Sequence, residues 1–70
     1  MPVLRTVIQD THRQLEEAGI PDARIEADLI WMTALEVDRA ELYARTNQEP
    51  TTEQAGRAEA LMTRLRQAPV

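Results

Sequence analysis

A chain of 70 residues has room for one small domain, near the size at which folding buries only roughly 60% of the unfolded chain's surface. Its formal net charge of −4, with eight basic residues against twelve Asp and Glu, argues against the clustered basic face that nucleic-acid binding draws on. With no Phe, no Cys, one Trp and one Tyr, the interior falls to Leu, Ile, Val, Met and Ala, which suits helices better than a sheet, and disulfides, thiolate metal sites and cysteine nucleophiles are excluded together.

The first predicted element runs from Val3 to Ala18, where Leu4, Val7, Ile8, Thr11, Leu15 and Ala18 fall on one stripe at helical spacing. Gly19 supplies the left-handed residue that ends a helix, Ile20 folds back on the last turn, and Pro21 blocks continuation. The second element, Asp22 to Glu36, is apolar on two sides: Ala23, Ala27, Ile30 and Ala34 form one stripe, and Ile25, Leu29 and Met32 another, with Leu35 beside it. A helix apolar on two sides is expected to lie sandwiched between neighbours, so this one is the predicted centre of the domain.

Asp38 followed by Glu41 has the spacing of a helix start, and a short third helix is predicted over Arg39 to Ala44. Arg45 to Pro50 has no period and reads as a connecting loop. Thr51 or Thr52 then caps a fourth helix, with Gln54 at the third position after Thr51 and Ala55, Ala58, Leu61, Met62 and Leu65 facing inward. Ala68-Pro69-Val70 is expected to stop it. The reading is all-α: a small orthogonal-type bundle of four or five short helices around a central buried helix over 22–36.

Chemistry is hard to find in the inventory. There is no Ser or Cys, the Thr hydroxyls belong to caps or helix faces, and His12 is the lone imidazole, read as a surface or boundary residue. Glu16 and Glu17 are adjacent and point apart. Asp22, Glu26 and Asp28 lie near the start of the second helix, where negative charge complements the dipole, and Arg24 is positioned to meet Asp28 one turn on. Trp31 is large enough to anchor a partner, yet its place at the border of the Ala stripe favours partial burial in the core. Arg57, Arg64 and Arg66 form a basic concentration that helix-dipole preference alone accounts for.

Three segments carry a family likeness: Ala18-Gly19-Ile20, then Ala23-Arg24-Ile25-Glu26-Ala27-Asp28-Leu29-Ile30, then Leu35-Glu36-Val37-Asp38-Arg39-Ala40-Glu41-Leu42-Tyr43-Ala44. They resemble the N-terminal domain of the HemK/PrmC-type release-factor glutamine methyltransferases, which writes Ala-Gly-Ile, Ala-Arg-Leu-Glu-Ala-Glu-Leu-Leu and Leu-Gly-Leu-Asp-Arg-Ala-Glu-Leu. The family has Gly where Glu36 stands, and its Arg-Arg-x-x-Gly-Glu-Pro-Val exit segment is here Arg64-Leu65-Arg66-Gln67-Ala68-Pro69-Val70.

The resemblance implies that residues 1–70 are a single helical substrate-docking domain, followed in the full protein by a Rossmann-like methyltransferase domain with an Asn-Pro-Pro-Tyr motif. That second domain would bind S-adenosylmethionine and methylate the glutamine of the Gly-Gly-Gln loop in peptide chain release factors. The chain itself is then expected to be no enzyme and to bind no cofactor or metal. Its implied partners are a release factor and its own methyltransferase domain, not nucleic acid or membrane. Arg24 and Trp31, on the exposed side of the first two helices, are the expected partner contacts. The N-terminus has no basic segment followed by an apolar run, and no stretch of 18 apolar residues occurs, so a cytoplasmic location is expected. Two other readings remain open: a free-standing helical adaptor or helix-turn-helix regulator, and a structural domain that supports the catalytic one.

Overall fold

The computed structural model describes residues 2–67, and these form α1 (Leu4–Glu17), α2 (Ala23–Leu35), α3 (Arg39–Ala44) and α4 (Thr52–Gln67). Among the described residues there is no strand, as the composition led one to expect. The stop expected at Ala68-Pro69-Val70 lies outside the described residues.

The helix ends follow from local chemistry. At the end of α1, Gly19 has φ +77. There the Ile20 N–H donates to Leu15 O at 3.0 Å and the Gly19 N–H to Glu16 O at 3.0 Å, the paired bonds of a Schellman motif. The same pair recurs at the end of α2, from Val37 N–H to Met32 O at 3.0 Å and from Glu36 N–H to Thr33 O at 3.2 Å. Glu36 occupies the left-handed position there, with φ +58, so the place where the resembled family writes Gly is one whose backbone favours Gly.

Two predicted N-caps are in place. The Asp38 carboxylate accepts from the Glu41 N–H at 2.8 Å. Thr51 and Gln54 form a capping box, with the Gln54 N–H donating to Thr51 Oγ1 at 3.0 Å and the Thr51 N–H to Gln54 Oε1 at 2.9 Å.

The start of α1 is solved differently. Val3 offers no side-chain cap; instead the Leu4 N–H donates to Gln48 O at 2.8 Å and the Arg5 N–H to Thr46 O at 3.0 Å. The 45–50 loop therefore satisfies donors that a helix start leaves orphaned, and buried Pro50 anchors the segment.

α2 packs against each of the other three helices, which makes it the centre of the bundle. Ala23, Ala27, Ile30 and Ala34 are buried, joined by Asp28, Trp31 and Leu35. At about 100° per residue these occupy one continuous arc of less than half the circumference. Leu4 and Leu15 from α1, Leu42 from α3 and Ala58 and Met62 from α4 complete the core, each fully buried Leu contributing about 1.5–3 kcal/mol of transfer free energy.

The expectation of a helix sandwiched on both sides is corrected here: Ile25 is 50% and Leu29 42% exposed. The physical reason is the crowding of the packed neighbours onto the Ala-bearing arc, where small side chains permit close approach. Of the other stripe, Met32 is partly buried against the core and Leu35 beside it is buried, so only the Ile25 and Leu29 part is left open.

Candidate functional site

Trp31, weighed above as core or contact, is 4% exposed. Its indole N–H donates to Thr11 Oγ1 at 3.0 Å, and that hydroxyl donates onward to Val7 O at 2.8 Å. Thr11 is itself buried, so the pair ties α1 to α2 through a satisfied polar link inside the core. The arrangement leaves Trp31 little surface to present to a partner.

Arg24 stands elsewhere, at a cavity of about 390 Å³ between α1, α2 and α3. Helix α1 contributes Arg5, Ile8, Gln9 and His12, spaced i, i+3, i+4, i+7 and hence on one face. Arg24 and Asp28, one turn apart, come from α2, Tyr43 from α3, and Thr46 from the turn that follows. The sequence reading singled out Arg24 alone among these as a contact; Arg5 was missed, and Tyr43 was not among the expected contacts. The signal available for Arg5 was the helical spacing of Arg5, Ile8 and His12, whereas Tyr43 reaches the site only through the packing of α3.

Asp28 is the electrostatic centre of the site. It is 4% exposed, so a residue read as a helix-start charge lies buried. The expected link to Arg24 gives way to two others: the Tyr43 hydroxyl donates to Asp28 Oδ2 at 2.6 Å, and the Arg39 guanidinium lies 3.7 Å from the same oxygen. The hydrogen bond to Asp28, then burial, push the Tyr43 phenol above its ordinary pKa, against an opposing pull from Arg39 and Arg24. A buried carboxylate needs such partners.

At the rim, the Arg5 guanidinium donates to the side-chain Oδ1 of Asn47, and His12 Nε2 lies 3.5 Å from Glu16 Oε2. Arg57, grouped in the sequence with the C-terminal basic residues, reaches across to the end of α2 instead. It donates to Ala34 O at 3.0 Å and to Glu53 Oε1 at 2.7 Å, so it finishes the last turn of α2 from α4. Among the described residues, no group of three or more His, Cys, Asp and Glu is arranged to hold a metal.

A second concavity, of about 340 Å³, runs between α2 and α4 and is predominantly aliphatic, with Leu29, Ile30, Leu61 and Leu65 among its lining residues and Glu26 and Arg64 as its charges. None of the described helices is long and apolar enough to cross a membrane.

The α1/α2/α3 cavity thus sets a satisfied buried carboxylate beside two guanidinium groups. Comparison with family models gives the decisive match: the PrmC N-terminal domain, over residues 6–68. The chain belongs to the PrmC N-terminal domain family. Comparison with curated proteins and with solved structures returns no match. Membership ties the chain to PrmC-type methyltransferases, and the matched range takes in all but the first residues of α1 and the whole of α2, α3 and α4. Every residue that lines the two concavities, Arg5 excepted, falls within the matched range.

Proposed function

We propose that this chain is the substrate-docking domain of an S-adenosylmethionine-dependent methyltransferase that modifies the glutamine of the Gly-Gly-Gln loop in peptide chain release factors. The observation that supports docking is the α1/α2/α3 cavity, a preformed concavity whose Arg5 and Arg24 guanidinium groups and half-exposed Tyr43 face outward. A large protein substrate is positioned better when a surface remote from the chemistry holds it, because the reacting groups then meet at a lower entropic cost. In this reading the domain binds no cofactor, S-adenosylmethionine belongs to the catalytic domain, and the setting is the cytoplasm.

Titration calorimetry of this chain with a peptide chain release factor tests the proposal. Saturable binding is expected to weaken as salt rises, since charged rim contacts are screened. No heat of binding at high concentrations of both proteins contradicts it.

The α2/α4 groove favours a second reading, in which the domain also packs against its own methyltransferase domain. Ile25 and Leu29 leave apolar surface exposed beside a groove that continues the same aliphatic character. Replacing Leu29 and Leu61 by Gln in the full-length enzyme should then lower its thermal stability and leave release-factor affinity intact; an unchanged melting temperature rules this packing out.

A further inference from the structure

We infer that the α1/α2/α3 cavity is a receptor for a carboxylate side chain, an Asp or Glu presented by the docked protein; the inference rests on the docking reading and specifies what that surface recognises. The chain as a whole carries −4, yet this cavity is lined by two guanidinium groups, Arg5 and Arg24, and the His12 imidazole. Its own carboxylate, Asp28, is already engaged by the Tyr43 hydroxyl at 2.6 Å and has Arg39 at 3.7 Å. With Asp28 offset by Arg39, the remaining lining charge is positive.

The two arginines come from different helices, so an anion between them bridges α1 and α2. Arg5 uses one terminal nitrogen on Asn47, and the other donors of its planar fork stay available for a bidentate carboxylate contact. Ile8 and the Tyr43 ring offer apolar contact for the methylene stem of a Glu. A basic partner fits less well, because the Asp28 side chain is 5% exposed and a cation would have to displace Tyr43 to reach it. A run of phosphates asks for more cations than two on a chain of net negative charge.

The test uses the chain labelled for nuclear magnetic resonance, with two capped pentapeptides as probes, Gly-Glu-Leu-Glu-Gly and its Gly-Gln-Leu-Gln-Gly counterpart. The Glu peptide is expected to bind in the millimolar range and to shift the Arg5 and Arg24 side-chain N–H signals and the Ile8 methyl groups, while the Gln peptide leaves them in place. Arg5→Gln and Arg24→Gln should each weaken the Glu peptide roughly tenfold, the size expected for loss of a charge-assisted contact, with Arg66→Gln on α4 as an inert control. An unperturbed Trp31 indole signal reports that each variant remains folded.

Equal shifts from both peptides, shifts that map to the α2/α4 groove, or Glu-peptide binding that survives both substitutions would overturn the inference. A release factor that binds wild type and the double variant equally would also overturn it, while leaving docking intact. A release factor that fails to bind while the Glu peptide still seats between the two arginines would instead defeat the docking reading and leave the carboxylate receptor standing for a different acidic partner.

Discussion

Thr11 is the residue on which the link between α1 and α2 turns. Its hydroxyl accepts from Trp31 and donates to Val7 O, so Thr11→Val keeps the volume and strands a buried indole N–H. Chemical denaturation should register a loss of about 1–3 kcal/mol, and Thr11→Ser should recover most of it; an unchanged midpoint for Thr11→Val would contradict the role. Tyr43 gives a pH signature. Its phenol is raised above the ordinary value near 10, so the folded state holds this proton more tightly than the unfolded state. The contribution is fully present below the unfolded pKa and is lost as pH rises through the folded one. Thermal melts in the alkaline range should therefore show a stability decline that Tyr43→Phe reduces, and an identical alkaline slope in both proteins would remove the Tyr43–Asp28 bond from the account. The roles of Thr11 and Asp28 were not legible in the sequence: Thr11 is placed on the apolar stripe but its bond partner is twenty residues away, and Asp28 looks like any acidic residue in an early helical turn.

At the scale of elements, the sequence was informative where the required residue type is unusual. Gly19, Asp38, and Thr51 with Gln54 each announced a helix end, and each makes the bond expected of it. Glu36 did not announce its left-handed backbone, because Glu carries no such preference, and the α1 start was silent because its cap is the backbone of a loop forty residues downstream. The two-sided apolar pattern of α2 was visible but over-read, since an apolar stripe does not say whether a neighbour in the same chain covers it. These features give two stability predictions. Glu36→Gly relieves a positive φ and loses only an exposed pairing with Arg57 at 3.6 Å, so the melting temperature should rise, by up to about 1 kcal/mol of stability; a fall would show that the Arg57 contact outweighs the backbone. Gly56→Ala, in the interior of α4 with nothing within 4 Å of the added Cβ, should stabilise by about 1 kcal/mol from helix propensity, and a loss on denaturant titration would mean that this face of α4 is closely packed.

For the whole molecule, family membership and the all-helical bundle were both readable from three short segments and from helical periodicity. The cavity was not, because it draws on three helices and a turn whose side chains meet only after α2 has gathered its neighbours. That assembly leaves two different faces, an arginine-lined concavity on α1/α2/α3 and an aliphatic groove on α2/α4, to which we assign recognition and support respectively. Steady-state kinetics of the methyltransferase carrying this domain, with Arg5 and Arg24 both replaced by Gln, separates these roles most directly. Docking through the arginine-lined face predicts a KM for the release factor raised at least tenfold, with kcat, cofactor affinity and melting temperature close to those of the unaltered enzyme. An unchanged KM, or a loss confined to thermal stability and cofactor binding, would contradict it.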